Sequence, residues 1–125
     1  MSWNAYSDAL VGYAQGSADV GGAALGYDGA QWAGTNLTMS ADEWKTLQGR
    51  FGNPNTGAKI VAGGVSYMAL ACDGEVLNGK KGDLSFCAVK CAKCIVVGVT
   101  GSGGNAGSLN QHCQTLADDL KGKGF

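Results

Sequence analysis

The residues best suited to chemistry are cysteines: Cys87, Cys91 and Cys94 form a C-x3-C-x2-C series, and Cys113 lies further along the chain. Thiolates at such spacings bind zinc or iron–sulfur clusters, or act as redox pairs. In strands, however, Cys87 and Cys91 share a face while Cys94 belongs to the next strand, and a fourth ligand, Cys113 or His112, comes from another element. The pattern therefore favours buried thiols that pack as small hydrophobic groups. A small metal-binding or thiol-redox protein is the alternative.

Other segments resemble functional motifs, but each lacks residues or elements that the function of the motif requires. Residues 101–106, GSGGNA, satisfy a dinucleotide fingerprint, but no second parallel strand or acidic residue follows at the required distance. Residues 74–81, GEVLNGKK, come close to a phosphate-binding loop, but Lys81 stands where a Mg²⁺-binding Ser or Thr is required. His112 and Cys113 are adjacent, and neighbours on a helix point apart, so they do not pair as base and nucleophile. The sequence therefore argues against an enzyme and indicates no cofactor and no metal.

Four of the nine basic residues lie between Asn78 and Thr100: Lys80, Lys81, Lys90 and Lys93. This stretch is predicted to form a strand, a basic turn and a two-strand hairpin, with a last strand covered on both faces. The four lysines could gather positive charge at one side of a sheet; the alternative is that they are solvated hairpin ends. The formal net charge of -1 predicts no nucleic-acid partner, so anion binding must come from local clustering.

Length and composition predict one domain, residues 1–125, with a core that forms without disulfide bonds or metal ions. Twenty-two glycines with one proline indicate many tight turns between short strands. Five cysteines, an odd number, are typical of a reducing compartment. The N-terminus has no signal-peptide pattern and no apolar run is long enough to span a membrane, so we expect a soluble intracellular protein.

Three helices are predicted. The first follows Ser2 as its cap and has an unusually aromatic face, formed by Trp3, Tyr6, Leu10 and Tyr13. The second begins at a capping box from Ser40 to Glu43. The last is expected to begin at a possible capping box formed by Ser108 and Gln111.

The strands are predicted to be joined by tight turns. A hairpin turns at Asp28-Gly29, and about five more strands follow the second helix. Strands connected in this way pair mainly antiparallel, and the two terminal helices are expected to lie on the sheet.

Several segments together resemble the profilin family, most closely its protist and plant members. They are SWNAYSDAL near the N-terminus, the hairpin YDGAQWA, the turn GKKG, the strand KCIVVGV and the C-terminal LADDLKGKGF. The resemblance implies an α+β fold: a central, mainly antiparallel sheet, with the terminal helices side by side on one face and a shorter helix on the other. It also implies a cytoplasmic, cytoskeletal protein that binds monomeric actin and promotes its nucleotide exchange. Further implied ligands are proline-rich segments, such as formin-type segments, and phosphoinositide headgroups.

The resemblance also assigns residues to a proline-peptide groove between the terminal helices. By position these are Trp3, Tyr6, Trp32 and Phe125. One residue departs from the family: Asp119 stands where its members usually have Tyr or His. A polyproline II ligand is stiff and has free carbonyls, so aromatic walls with donors suit it. We therefore expect weaker proline-peptide binding than an aromatic residue at position 119 would give.

For actin, the resemblance implies contacts at the sheet edge and the start of the last helix. The set is Lys80, Lys81, Ser85, Lys90, Asn105, Gly107 and Asn110. Phosphoinositides would be held weakly by Lys80, Lys81, Lys90 and Lys93.

Overall fold

The computed structural model describes residues 4–12, 20–27, 29–52, 59–72, 76–91, 93–101 and 104–124. The helices are α1 (Asn4–Gly12), α2 (Ala41–Gly52) and α3 (Ala106–Gly122). The strands are β1 (Gly22–Tyr27), β2 (Ala30–Thr35), β3 (Lys59–Ala62), β4 (Val65–Cys72), β5 (Val76–Lys81), β6 (Leu84–Lys90) and β7 (Ile95–Val99). Ser2, Trp3, Tyr13 and Phe125, which the sequence analysis singled out, lie outside the described residues.

The strands form one seven-stranded sheet in the order β2-β1-β7-β6-β5-β4-β3. Every neighbouring pair is antiparallel. Gly63 and Gly64, between β3 and β4, have φ values of +60° and +81°, which a residue without a side chain adopts without strain. The predicted α+β class with a mainly antiparallel sheet is confirmed.

The sheet has an apolar core on each face because successive side chains of the central strands point to opposite sides. On one face, Cys87 and Val96 pack with Leu10 of α1 and Leu109 of α3. On the other face, a second core forms around Trp44 of α2, with further members that include Leu47, Tyr67, Phe86 and Val97. The terminal helices therefore share one face and contact each other, and α2 covers the other face, as expected. With 12 residues, α2 is shorter than α3, which has 17, but longer than the nine residues described for α1.

The capping box of α2 is confirmed. The N–H of Glu43 donates to the hydroxyl oxygen of Ser40 at 3.2 Å, and the N–H of Ser40 donates to the Glu43 carboxylate at 2.7 Å. The predicted start of α3 at Ser108 is wrong. Asn105 is the N-cap, because its side-chain oxygen accepts a hydrogen bond from the N–H of Ser108 at 2.9 Å.

The predicted basic turn is also misplaced. Lys80 and Lys81 are the last residues of β5, where they pair with Ser85 and Leu84 of β6. The turn that follows begins at Gly82, which has a φ of +60°. The strand thus extends through both lysines, and cross-strand pairing fixes where their side chains lie.

Candidate binding surfaces

The four described cysteines that the sequence grouped together form two separate pairs within one apolar core. Cys87 of β6 contacts Cys113 of α3, whereas Cys91 contacts Cys94 across the β6–β7 connection. Cys91 also donates from its sulfur to the carbonyl oxygen of Ala117 at 3.6 Å. Among the described residues, no group of three or more His, Cys, Asp or Glu side chains could hold a metal ion. The structure does not bring the cysteines together as the metal-binding alternative requires.

Cys94 and Cys113 are held in their neutral form. A hydrogen bond with Cys91, together with burial, raises the pKa of Cys94 far above its usual range. A hydrogen bond with Cys87, together with burial, likewise raises the pKa of Cys113. Reactive thiols are exposed and have a lowered pKa, so these side chains have the properties of core residues.

A row of cross-strand partners forms an uncovered part of the sheet on the side of α1 and α3. Lys59 pairs with Met68, Met68 with Lys80, and Lys80 with Ser85, so the four residues share one face across β3 to β6. Val61 has the same parity as Lys59. Met68 is 59% exposed and Val61 41%. We call Lys59, Val61, Met68 and Lys80 the basic sheet face.

A surface cavity of about 420 Å³ opens along this face. Its lining includes Lys59, Ser66, Met68, Lys80 and Lys81, and it contains no carboxylate. Lys59 and Lys80, the cross-strand partners of Met68, therefore flank an exposed apolar side chain. Such a surface suits a partner that offers carboxylates around an apolar contact.

The first turns of α3 lie at the same end of the sheet. The N–H of Thr100, just after β7, donates to the Ser85 carbonyl at 2.9 Å, and the N–H of Ser85 donates to the Thr100 hydroxyl at 2.8 Å. Leu109 then approaches Gly98. Of the predicted contact residues here, Asn105 and Gly107 are exposed and Asn110 is half-buried. Ser85 itself is buried, so it positions this connection rather than lying on the surface.

Lys90 and Lys93 do not join Lys80 and Lys81. Lys90 is five residues from Ser85 along β6, which places the two about 17 Å apart. Lys90 also has the parity of Phe86 and Ala88, so its side chain projects toward the face that α2 covers. Lys93 lies in the connection beyond it. The expectation of one four-lysine cluster is wrong because β6 runs between the two pairs.

Two members of the predicted groove, Tyr6 of α1 and Trp32 of β2, lie among the described residues and apart from the basic sheet face. Both are half-buried and pack against the core beneath α1 and α3. Helix α1 is fixed to β2 by a hydrogen bond of 2.9 Å between the Ser7 and Thr35 hydroxyls, and Thr35 also donates to the Asp8 carboxylate. These contacts hold Tyr6 of α1 close to the strand that carries Trp32.

Asp119 is exposed on the last turns of α3 and forms an ion pair that the sequence analysis did not consider. Its carboxylate accepts from the Lys123 ammonium at 3.0 Å. The same ammonium lies 3.5 Å from the Tyr6 hydroxyl and 5.2 Å from the centroid of the Tyr6 ring. Asp119 raises the pKa of Lys123, with a smaller contribution from Tyr6, so the lysine stays cationic.

Sequence reasoning missed three surface residues: Lys59, Met68 and Lys123. The four-residue spacing of Asp119 and Lys123 is a visible signal for a helical ion pair. No comparable signal identified Met68, because β4 carries apolar residues at both parities. Lys59 became relevant only through its pairing with Met68.

The two surfaces lie at opposite ends of α3. The start of that helix approaches Gly98 near the basic sheet face, and Ala117 near its end contacts Cys91. One surface is basic and apolar, and the other is aromatic. A small α+β domain with these features has the character of a binding protein.

Comparison with known proteins identifies the family. A sequence model of the profilin family matches residues 1–125. Profilin-P of Physarum polycephalum is 33% identical over 128 residues, which cover 100% of both chains. Profilin IB of Acanthamoeba castellanii, a solved structure, has a TM-score of 0.90 and 32% identity over 99% of this chain and 100% of its own. The chain belongs to the profilin family.

Profilins are actin-binding proteins without enzymatic activity. LokiProfilin2, solved in complex with rabbit actin, shares the fold at a TM-score of 0.75 with 15% identity, over 92% of each chain. No helix among the described residues is long and apolar enough to cross a membrane.

Proposed function

We propose that this chain binds monomeric actin through the basic sheet face and the start of α3, and so regulates actin polymerisation and nucleotide exchange. The observation that carries the proposal is the 59% exposure of Met68 between its cross-strand partners Lys59 and Lys80, in a cavity lined by strand residues. Exposed apolar side chains with a polar rim are typical of protein-interaction sites. The family membership and the actin complex of LokiProfilin2 support actin as the partner.

The proposed contact set differs from the one that resemblance implied. Lys80 and Lys81 of β5 remain, as do Asn105, Gly107 and Asn110 of the α3 start. Met68 and Lys59 join them because they share the lysine-lined cavity. Ser85 acts by anchoring the connection into α3, and Lys90 leaves the set because it lies at the other end of β6.

Replacing Met68 with Glu tests this assignment. The side chain is 59% exposed, so the change should leave the fold intact while placing a charge in the apolar centre of the contact. We expect at least a tenfold loss of affinity for monomeric actin, measured by fluorescence anisotropy, because the new carboxylate would be buried at the contact without a partner. Ala30 is exposed on β2, the opposite edge strand, so Ala30→Glu is the matched control. Equal affinities for the two variants would refute the proposed surface.

We propose a second site, which binds proline-rich segments, in the groove between α1 and α3. It would use Tyr6, Trp32 and Asp119, together with Trp3 and Phe125. Two half-buried aromatic side chains support the proposal: Tyr6 lies beside Lys123 at the end of α3, and Trp32 packs against the same core as Tyr6. Polyproline II segments keep their backbone carbonyls free and lose little entropy on binding, so partly exposed aromatic side chains can hold them.

Asp119→Tyr tests this groove. An added aromatic wall should tighten binding of poly-L-proline by about 1 kcal/mol, the value of a typical aromatic pair. Tryptophan fluorescence during the titration is a suitable readout. Trp32 would respond to the ligand, whereas Trp44 would not, because it is buried between α2 and the sheet. Equal affinities of the parent and the variant would show that position 119 is not part of the groove. A failure of both to bind would refute the groove itself.

We expect that both ligands can bind at once. Asn105 and Lys123, at the two ends of α3, are eighteen positions apart, which corresponds to about 27 Å of helix.

We further propose that phosphoinositide headgroups bind weakly at Lys59, Lys80 and Lys81, which share one cavity, rather than at the four lysines grouped by sequence. A cytoplasmic location at the actin cytoskeleton is part of the same proposal.

A further inference from the structure

Lys123 links the two terminal helices at the aromatic surface. Its ammonium lies 3.0 Å from the Asp119 carboxylate on α3 and 3.5 Å from the Tyr6 hydroxyl on α1. It also lies over the Tyr6 ring, 5.2 Å from the centroid. A single side chain therefore spans the space between the helices.

This position matters because the ring face of Tyr6 is what a proline side chain would contact. A pyrrolidine ring packs on an aromatic face at carbon–carbon separations of about 3.5–4 Å. The ammonium lies 5.2 Å from the centroid but 3.5 Å from the hydroxyl, which places it at the hydroxyl end of the ring. A ligand proline that covers this end of the ring would therefore collide with the lysine.

The contact is weak enough to open. The Lys123 and Asp119 side chains are 46% and 52% exposed, and exposed ion pairs contribute little net stability. A cation over an aromatic ring at an exposed site adds a similarly modest attraction. Opening is therefore readily achieved, but it lowers the affinity of any ligand that requires it.

We propose that Lys123, held by Asp119, closes the proline-binding groove in the free protein, and that a proline-rich ligand binds only after displacing this lysine. The inference rests on the proposed groove. It gives Asp119 a second effect beyond the loss of an aromatic wall, because the carboxylate keeps the lysine over Tyr6. The opposite role, in which the ammonium donates to a ligand carbonyl, predicts the opposite effect of removing the charge.

Calorimetric titration with poly-L-proline distinguishes these roles. The variants are Lys123→Gln, which removes the cation, and Asp119→Asn, which removes its anchor at nearly constant shape. Lys45→Gln is the matched control, because Lys45 is exposed on α2 on the opposite face of the sheet and its replacement changes the net charge equally. We expect Lys123→Gln to bind roughly three- to fivefold more tightly than the parent, Asp119→Asn to shift in the same direction, and Lys45→Gln to match the parent.

Salt gives a second test of the same contact. Exposed ion pairs weaken as ionic strength rises, so the difference between the parent and Lys123→Gln should shrink at high salt. In the free parent, nuclear Overhauser contacts should connect the ε-methylene protons of Lys123 with the Tyr6 ring protons. These contacts should weaken in Asp119→Asn and disappear when poly-L-proline is added.

Equal or weaker binding by Lys123→Gln would overturn the closed-groove proposal while leaving the groove itself in place. Contacts between the Lys123 methylene and the Tyr6 ring that persist in saturating poly-L-proline would overturn it as well. Failure of the parent, both variants and Asp119→Tyr to bind would instead refute the proposed groove, and the closed state with it.

Discussion

The sulfur of Cys113 on α3 lies only 2.7 Å from the position that a Cβ on Gly98 of β7 would occupy. A methyl side chain at Gly98 would also come within 2.9 Å of Leu109. Gly98 therefore lets α3 approach the sheet closely. This close packing positions the start of α3 near Thr100 and the basic sheet face.

Gly98→Ala should destabilise the protein by about 1–3 kcal/mol, because the new methyl group overpacks the contact with α3. Chemical denaturation measures the change. The cost should be smaller in a Cys113→Ala background, where one of the two close contacts is gone. Gly49 of α2 is exposed with nothing near its Cβ position, so Gly49→Ala should instead stabilise by roughly 0.5–1 kcal/mol. A neutral Gly98→Ala would contradict the close packing of α3.

Stability should fall in alkaline solution because Cys113 stays protonated only while folded. Its pKa is raised in the folded protein, whereas the unfolded thiol ionises near pH ~8.5. Above that pH the unfolded chain binds fewer protons, so the free energy of unfolding decreases as pH rises. The contribution of one such thiol approaches about 1.4 kcal/mol per pH unit.

Urea unfolding under reducing conditions, from about pH 8 to about pH 10, measures this slope. Cys113→Ala should show a shallower decline than the parent, because it retains only the other groups with raised pKa, such as Cys94 and Tyr67. Identical slopes for the two proteins would mean that Cys113 ionises equally in both states.

The start of α3 can be tested with two substitutions. Asn105→Ala removes the oxygen that caps the N–H of Ser108 and should cost about 1 kcal/mol of stability. Ser108→Ala keeps that N–H and should change stability by less than about 0.5 kcal/mol, since its side chain is not the cap. Thermal unfolding compares them. A larger loss of stability in Ser108→Ala than in Asn105→Ala would instead support Ser108 as the N-cap, as the sequence pattern predicted.

Local patterns predicted much of the fold. The Ser40–Glu43 capping box depends on residues three apart, and the hairpin of β1 and β2 joins strands that are adjacent in the chain, so neither needed tertiary information. The continuous apolar run of β7 correctly indicated burial on both faces. The start of α3 was misplaced because Asn105 competes with Ser108 as a cap, and both fit the same local rule.

The binding surfaces were harder to predict because they depend on register and on which part of the sheet the helices cover. Closeness in sequence suggested that Lys80, Lys81, Lys90 and Lys93 cluster, but β6 separates the pairs by its own length. Met68 is exposed because α3 contacts β6 and β7 and leaves the neighbouring strands open. The contact of Lys123 with Tyr6 joins two helices at opposite ends of the chain, so no local spacing could reveal it.

The most direct test of the account compares the affinities of Lys80→Glu and Lys90→Glu for monomeric actin at low salt. Both substitutions reverse one charge, but Lys80 lies on the basic sheet face and Lys90 lies about 17 Å away at the other end of β6. We predict that Lys80→Glu weakens binding at least tenfold, mainly through slower association, while Lys90→Glu stays within about twofold of the parent. Equal losses, or a larger loss for Lys90→Glu, would contradict the proposed actin site.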